Sequence, residues 1–127
     1  MVTFMPVEKL TAHEETNPQR LLEVRTDIAE RGILKLPLLV DRVSGIILDG
    51  HHRFQALRDL GKKTVPVRLV NYRSSAIQVF PRRCDIPVTK EIVLATGRAH
   101  QLFPEKTTRH VMRSKQRIAN VPLQTFN

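Results

Sequence analysis

Two hydrophobic periods alternate along this chain, one typical of helices and one typical of strands. In the stretch NPQRLLEVRTDIAERG, Leu21, Val24 and Ile28 fall on one face of a helix. Asn17 is a suitable N-cap, and the proline that follows it favours the first helical position. Gly32 closes the periodic segment, so we predict a helix between Asn17 and Gly32.

Short apolar runs bounded by turn residues predict strands. The runs LPLLV and GIIL are joined by DRVSG, whose Asp, Ser and Gly suit a tight reversal, and together they predict a β-hairpin. TVPVRLV alternates Val65, Val67 and Leu69 and predicts a half-buried strand. VTFMPVEKL predicts a short opening strand that runs into a loop, and AIQVF predicts a further strand.

The helical period returns after Asp49. Phe54 and the two leucines that follow it are spaced by three residues, and Gly61 closes the pattern, which predicts a second helix. TKEIVLATG, with Thr89 as its cap and Gly97 at its end, predicts a third. Beyond residue 97 the chain is basic and weakly periodic, and we expect LFPEKTTRH to be a loop. The order of elements is that of an α/β protein.

Composition narrows the class of protein. A length of 127 residues suits one domain, and 41% hydrophobic with 26% charged residues is typical of a folded globular chain. The single cysteine, Cys84, excludes an internal disulfide framework and a cysteine-cluster zinc site. No apolar run approaches the roughly 20 residues of a membrane span, and the start lacks the layout of a secretory signal. We therefore expect a cytoplasmic protein with no membrane partner.

The formal charge of +9 is concentrated in the later part of the chain. Residues 1–50 hold six Lys/Arg against eight Asp/Glu, whereas residues 51–127 hold fifteen against four. A positive field of this kind attracts nucleic acids, nucleotides and phosphorylated metabolites alike. Because all of these partners are anionic, charge alone does not discriminate among them. The interleaved aromatic residues of single-strand binders are absent from the sequence.

The stretch ILDGHHRFQALRDLG carries the strongest chemical signal. A strand, Gly50 and a helix in succession leave the first amide groups of the helix free, and these groups attract anions. His51 and His52 can donate hydrogen bonds, and Arg53 can grip two phosphate oxygens, so we predict a phosphate site. In the simpler interpretation Asp49 caps the helix and the cations are solvated. Adjacent histidines on a helix point in different directions and rarely bind one metal ion, and no protein metal site is predicted.

The segment from GILKLPLLV to VPVRLV resembles the ParB/sulfiredoxin-like superfamily. Within that superfamily, DGHHR is similar to the turn of free L-serine kinases, LTAHEETNPQR to their acidic loop, and LFPEKTTRH to their FPPKTTRH segment. The three stretches occur in the same order, and the resemblance covers most of residues 6–112. It implies one α/β (α+β) domain over 1–127, with a small mixed sheet and flanking helices. It also implies a kinase that phosphorylates free L-serine with ATP or ADP and Mg²⁺.

The resemblance implies roles for individual residues. Glu14 acts on the serine hydroxyl, with Glu15 as the alternate, and Asp49 orients the turn, holds a magnesium-bound water or caps the helix. His52 completes the implied catalytic set. The groups implied to contact the nucleotide phosphates are the Gly50 backbone, His51, His52, Arg53 and Lys106. The donors implied for the serine carboxylate or the moving phosphoryl group are Thr107, Thr108, Arg109 and His110.

The relatives suggest alternatives and departures. Sulfiredoxin needs a cysteine in the turn, which this chain lacks, whereas a ParB-like nucleotide- or DNA-binding regulatory module without catalysis remains the second hypothesis. Glu105 stands where the kinases have a second proline, and Phe80 stands where some have a tryptophan near the substrate. The chain is also shorter than the archaeal kinases, so a homodimer that completes the pocket is a further expectation.

Overall fold

Helices and short strands alternate along the chain, as the hydrophobic pattern predicts. The structure is a computed structural model and describes residues 2–114 and 116–127. Its helices are α1 (Pro18–Arg31), α2 (His51–Asp59) and α3 (Lys90–Arg98). Its strands are β1 (Thr3–Pro6), β2 (Ile33–Leu34), β3 (Leu38–Asp41), β4 (Ile47–Asp49), β5 (Thr64–Val70), β6 (Ile77–Pro81), β7 (Thr108–Met112) and β8 (Val121–Pro122). Single turns of 3-10 helix lie at Val7–Lys9 and Leu123–Thr125.

The central sheet has four strands in the order β1, β5, β3, β4. β3 runs parallel to β5, whereas β1 with β5 and β3 with β4 are antiparallel. The β3–β4 pair is the predicted hairpin, and α2 then carries the chain from β4 at the edge back to β5 inside the sheet. The predicted small mixed sheet with flanking helices is confirmed.

The sheet is buried on both faces, which explains the continuous apolar run of β3. Leu38 and Val40 join a core cluster with residues of α1 and α2, whereas Leu39 between them joins a second cluster with Val93 and Leu94 of α3. Successive side chains of a strand point to opposite faces, so β3 contributes to both clusters. The prediction that β5 is half-buried is wrong for residues 65–67, which are all buried. β5 lies between β1 and β3, and layers cover both faces of the sheet.

The helix boundaries follow from local capping. The Asn17 side chain accepts a hydrogen bond from the amide of Arg20 at 2.9 Å, and Gly32 ends α1 with φ +67°. The Thr89 hydroxyl oxygen accepts from the Ile92 amide at 3.1 Å at the start of α3. Both starts match the prediction. None of the helices in the described part of the chain is long and apolar enough to cross a membrane.

Two predictions for the C-terminal half of the chain are wrong, one on the LFPEKTTRH loop and one on the end of the third helix. LFPEKTTRH is not a loop throughout, because Thr108 to His110 belong to β7, which pairs antiparallel with β6. Gly97 does not end α3 but lies within its last turn. A Cβ atom at Gly97 would lie 2.7 Å from Ile46 Cδ1, so the glycine allows the helix to pack closely against the sheet.

Candidate active site

A cavity of about 670 Å³ opens where the end of β4 meets the start of α2. Its walls come from the acidic loop before α1, the first two turns of α1, the β4–α2 turn (Asp49–Arg53), the loop before β7 and β7 itself, together with Arg82 after β6. Five acidic and five basic residues line it, so the charge of the wall is balanced rather than uniformly positive. Such a surface suits a ligand set that carries both signs of charge. The acidic residues are Glu14, Glu15, Glu23, Asp49 and Glu105, and the basic ones are Arg20, Arg53, Arg82, Lys106 and Arg109.

The β4–α2 turn places a bare helix N-terminus at this cavity. Gly50 is the N-cap residue of α2 with φ +104°, and it has no side chain to bond the first amides of the helix. A Cβ atom there would lie 2.7 Å from Leu38 Cδ2 and 2.8 Å from Arg53 Nη2. Only glycine combines this φ with this closeness. Asp49 lies before the cap with its side chain exposed, so the interpretation of Asp49 as the helix cap is wrong.

Arg53 is a partly buried cation with an incomplete set of partners. Its Nη2 donates to the carbonyl of Pro37 at 3.3 Å, and its buried Nε has no hydrogen-bond partner among residues 2–114 and 116–127. Burial lowers the pKa of Arg53, and the nearby Asp49 carboxylate acts in the opposite direction. A buried charged group without its full hydrogen bonds is costly. An anion bound beside α2 would supply the missing acceptor.

The two histidines of the turn hold neighbouring elements in place. The ring of His51 is buried, and its Nε2 accepts a hydrogen bond from the backbone amide of His13 at 3.2 Å. His52 Nε2 accepts from the amide of Asn17, the N-cap of α1, at 3.0 Å. Burial lowers the pKa of both rings. Both Nε2 atoms are therefore occupied as acceptors, and in each neutral ring Nδ1 is the nitrogen that carries the hydrogen.

Glu14 lies against the start of β7. Its Oε1 accepts from the Thr107 amide at 3.0 Å and its Oε2 accepts from the Thr108 hydroxyl at 2.8 Å. Its side chain is 11% exposed, whereas Glu15 is an exposed residue whose amide bonds the Phe103 carbonyl at 2.8 Å. The geometry therefore favours Glu14 over Glu15 as the carboxylate with a fixed position. We call His13, Glu14, Thr107 and Thr108 the Glu14 cluster.

The residues of KTTRH divide into exposed and buried positions. Lys106 and Arg109 are exposed and line the cavity, where their charges are free to meet a ligand. Thr107 is fully buried and its hydroxyl donates to the Pro104 carbonyl at 2.6 Å. The expected contact of Thr107 with substrate does not fit this position. His110 Nε2 is 2.8 Å from the Tyr72 hydroxyl, and burial, chiefly, lowers its pKa to about 3.

Three residues at or behind the cavity make contacts that the sequence analysis did not predict. His13 precedes the two glutamates of HEE, but its complete burial depends on packing that no local pattern reports. Asn17 was assigned only as a helix cap, yet its Nδ2 also donates to Glu105 Oε1 at 3.3 Å. Glu105 was noted as a departure from the kinases, and its buried Oε2 has no hydrogen-bond partner in the described part of the chain. The hydrogen bond from Asn17 to Glu105 links the start of α1 to the loop before β7.

The described residues contain no group of three or more His, Cys, Asp or Glu side chains placed to hold a metal ion. Mg²⁺ commonly uses only one or two carboxylates together with the phosphates of a bound nucleotide. The exposed carboxylate of Asp49, beside the bare N-terminus of α2, fits that arrangement.

Comparison with known proteins gives sequence relatives and structural neighbours. No family model matches the chain. An ATP-dependent L-serine kinase of Staphylothermus marinus is 39% identical over 73 residues, which is 54% of this chain and 29% of that protein. The ADP-dependent L-serine kinase SerK of Thermococcus kodakarensis is 31% identical over 81 residues, 61% of this chain and 34% of that protein. The matches thus span about a third of the length of these curated relatives.

Solved structures extend the likeness to the whole fold. A free serine kinase in complex with AMP superposes with a TM-score of 0.90 at 16% identity, over 99% of this chain and 93% of that chain. Sulfiredoxin from Arabidopsis thaliana superposes with a TM-score of 0.50 at 25% identity, over 56% of this chain and 85% of that chain. The predicted ParB/sulfiredoxin-like fold and the predicted resemblance to free L-serine kinases are confirmed.

Proposed function

We propose that this domain transfers a phosphoryl group from ATP or ADP to the hydroxyl of free L-serine and forms O-phospho-L-serine. One observation carries the proposal: a fixed carboxylate, Glu14, and a bare helix N-terminus with a partly buried, underpaired Arg53 open onto the same cavity. The first group suits proton abstraction and the second suits a phosphate. The names of the curated relatives and the AMP-bound neighbour support this interpretation.

The β4–α2 turn is the proposed nucleotide side of the cavity. The amides of the first turn of α2 and the Arg53 guanidinium hold phosphate oxygens, and the exposed Lys106 adds a third positive group. His51 and His52 act here by fixing the acidic loop and the start of α1 through their Nε2 atoms. We therefore propose that His52, which the resemblance places in the catalytic set, positions the start of α1 and does not act on the substrate directly.

Asp49 is the proposed protein ligand for Mg²⁺, which would also take phosphate oxygens of the nucleotide and water molecules. When bound, the ion neutralises negative charge on the phosphates. Asp49 is suited to this part because it is exposed at the cavity and lies directly before Gly50. The Asp49 carboxylate also partly offsets the charge of Arg53 when no nucleotide is bound.

The Glu14 cluster is the proposed serine side. Glu14 accepts the proton of the serine hydroxyl as the serine oxygen forms a bond to phosphorus. The bond from phosphorus to the leaving oxygen of the nucleotide breaks, and the leaving nucleotide is ADP from ATP or AMP from ADP. Arg109 is the proposed clamp for the serine carboxylate, since a planar guanidinium matches a carboxylate better than an ammonium group does. Free serine and nucleotide occur together in the cytoplasm, the proposed location.

A nucleotide- or DNA-binding regulatory module without catalysis is the second candidate function. The observation in its favour is the concentration of positive charge in residues 51–127. Such a module would retard a DNA duplex with steep salt dependence and would transfer no phosphate to a small molecule. A homodimer is compatible with either function and is measured in the same preparation by light scattering.

The experiment that tests the proposal supplies the protein with Mg²⁺, with ATP or ADP, and with each common free amino acid in turn. Products are identified by mass. We expect O-phosphoserine as the main product, and the donor that gives it answers the choice between ATP and ADP. Threonine and homoserine are the matched acceptors, since each keeps a hydroxyl and changes the carbon skeleton. Nucleotide binding without phosphorylation of any amino acid, together with duplex retardation, would replace the kinase with the regulatory module.

A further inference from the structure

His13 belongs to the Glu14 cluster, but the function proposed above gives its ring no role of its own. It is fully buried, and its ring is edge-on to the rings of His51 and His110, with centroids 4.6 Å and 5.9 Å away. Its Nδ1 is 2.8 Å from the Ile47 carbonyl, and its Nε2 is 3.1 Å from the Thr108 hydroxyl. A buried imidazole with both nitrogens engaged is held in one orientation.

The protonation of this ring follows from its partners. A carbonyl oxygen only accepts hydrogen bonds, so Nδ1 of His13 carries the hydrogen that bonds the Ile47 carbonyl. A neutral His13 then offers a lone pair at Nε2 to the Thr108 hydroxyl. That hydroxyl has one hydrogen and two acceptors within reach, His13 Nε2 at 3.1 Å and Glu14 Oε2 at 2.8 Å. One acceptor of the pair is therefore always left without a donor.

One additional proton removes this mismatch. With a proton on His13 Nε2, the ring donates to Ile47 and to Thr108, and the Thr108 hydroxyl donates to the ionised Glu14. Every donor and acceptor in this row of hydrogen bonds, from the Ile47 carbonyl to Glu14 Oε2, then has a partner. The serine hydroxyl releases one proton when its oxygen attacks phosphorus. That proton can supply the additional hydrogen that the hydrogen bonds among His13, Thr108 and Glu14 require.

We propose that Thr108 and His13 form a proton relay behind Glu14, a proposal that rests on the function proposed above. As Glu14 takes the serine proton, the hydroxyl proton of Thr108 passes to His13 Nε2 and the carboxyl proton of Glu14 passes to Thr108 Oγ1. The net change is one proton moved from the serine oxygen to His13, with the Thr108 hydroxyl and the Glu14 carboxylate restored. In this proposal Thr108 and His13 are positioning residues that act through Glu14.

The surroundings of His13 make the transferred proton short-lived. Burial lowers the pKa of His13 to about 4, and the rings of His51 and His110 face it from α2 and β7. Glu14, with Oε2 3.9 Å from Nε2, is the carboxylate that faces it. At neutral pH the ring is therefore neutral before turnover and returns the proton once product leaves. The relay is ready to accept a proton at the start of each cycle.

The test compares Thr108→Val, which keeps the shape and removes the hydroxyl, with Thr108→Ser, which keeps the hydroxyl. We expect Thr108→Val to lower kcat by at least about tenfold, with the KM for serine and the affinity for AMP within about twofold of those of the unaltered protein. Thr108→Ser should retain most of kcat. The rate in mixtures of H₂O and D₂O should curve with the D₂O fraction in the unaltered protein and become linear in Thr108→Val, because only a relay moves several protons together.

A second measurement needs no turnover. Nitrogen NMR of the resting protein should show the hydrogen of His13 on Nδ1, and the Nε2 resonance should shift in Thr108→Val but not in Thr108→Ser. A hydrogen on Nε2 would contradict the relay, as would equal kcat values for the two variants or a linear D₂O dependence in the unaltered protein. Failure of the unaltered protein to phosphorylate serine would instead overturn the proposed function, and the relay with it, even where the NMR result agrees.

Discussion

The β4–α2 turn and the Glu14 cluster face the same cavity, but they are assembled in different ways. The turn consists of five consecutive residues, and its key groups are backbone amides fixed by the φ of Gly50. Glu14 instead depends on partners 93 and 94 residues away in the chain, Thr107 and Thr108. The phosphate side is thus a local structure, whereas the proton-accepting side exists only when the whole domain is folded.

This difference implies that the two sides can be disabled separately. A change in the turn should weaken nucleotide binding, and a change at Glu14 should slow transfer while leaving nucleotide binding intact. The variants below are arranged by the size of the expected effect, and each is paired with a control from the same part of the chain.

The largest effect is expected from Glu14→Gln. The amide keeps the shape of the carboxylate but accepts a proton poorly, so transfer to serine should fall by a factor on the order of 10² to 10⁴. The affinity for AMP should stay within about threefold of that of the unaltered protein. Steady-state rates and calorimetric titration with AMP measure the two quantities.

Glu15→Gln is the control for that variant, since Glu15 is the adjacent carboxylate and the alternate base. It should retain nearly all activity, because its exposed side chain makes no contact with β7 comparable to that of Glu14. Loss of transfer in Glu15→Gln with normal rates in Glu14→Gln would exchange the two assignments.

The second-largest effect is expected from Gly50→Ala. The added methyl group meets Leu38 and Arg53 and forces a non-glycine residue to φ +104°, so AMP affinity should fall by about a hundredfold. The free energy of unfolding should fall by roughly 1–3 kcal/mol for the same reasons. Calorimetry and urea unfolding measure the two changes.

Gly32→Ala is the matched control, since Gly32 also has a positive φ, +67°, but a Cβ atom there meets nothing within 4 Å. It should lower stability by about 1 kcal/mol and leave AMP affinity unchanged. Equal losses of AMP affinity in the two variants would mean that Gly50 affects binding only through overall stability.

The third effect is expected from Arg53→Gln. Removal of the underpaired guanidinium should weaken AMP binding by about tenfold, which corresponds to the loss of a charge-assisted hydrogen bond. Arg58→Gln is its control, because Arg58 is an exposed residue on the same helix. Titration at two salt concentrations should give a smaller salt dependence for Arg53→Gln alone. Unchanged affinity in Arg53→Gln would exclude this guanidinium from the phosphate site.

The last prediction concerns the acid stability of the domain rather than binding or transfer. Burial lowers the pKa of His13 to about 4 and that of His110 to about 3, and it lowers that of His51 as well. The unfolded chain, with ordinary histidine pKa values near 6.5, therefore binds protons first as the pH falls. Stability is full above about pH 6.5 and is lost as the pH falls from there towards 4, by about 1.4 kcal/mol per pH unit for each buried ring.

Urea unfolding at pH 7.5, 6.5, 5.5 and 4.5 measures that slope. His110→Gln should lower the slope by about 1.4 kcal/mol per pH unit, which corresponds to one proton. His100→Asn is the control at an exposed site and should give the slope of the unaltered protein. A slope that His110→Gln does not alter would mean that this ring takes up its proton in the folded state as readily as in the unfolded one.

The sequence predicts the turn better than it predicts the Glu14 cluster, for a physical reason. Asn17, Gly32, Gly50 and Thr89 act within a few residues of themselves, so the bounds of the helices and the bare N-terminus of α2 follow from local rules. The strand at Thr108 does not follow from them, because β7 is defined by its pairing with β6 rather than by its own pattern. The sequence pattern therefore predicts a loop there.

The same limit applies to the side chains of the site. The resemblance to serine kinases points to Glu14, but the chain alone does not indicate that Thr108 turns its hydroxyl to this carboxylate. The burial of His13 is equally invisible, since a histidine beside two glutamates in a polar loop looks solvated. The sequence likewise does not show that the Nε2 atoms of His51 and His52 accept hydrogen bonds from the amides of His13 and Asn17.

The most direct test of the central claim is an amide NMR titration of the unaltered protein with AMP, followed by serine. The central claim is that the two sides of the cavity bind different ligands. AMP alone should shift the amide resonances of residues 50–53, and serine added afterwards should shift those of Thr107 and Thr108, whose groups hold Glu14. AMP shifts confined to β7, or serine shifts confined to the β4–α2 turn, would contradict the account.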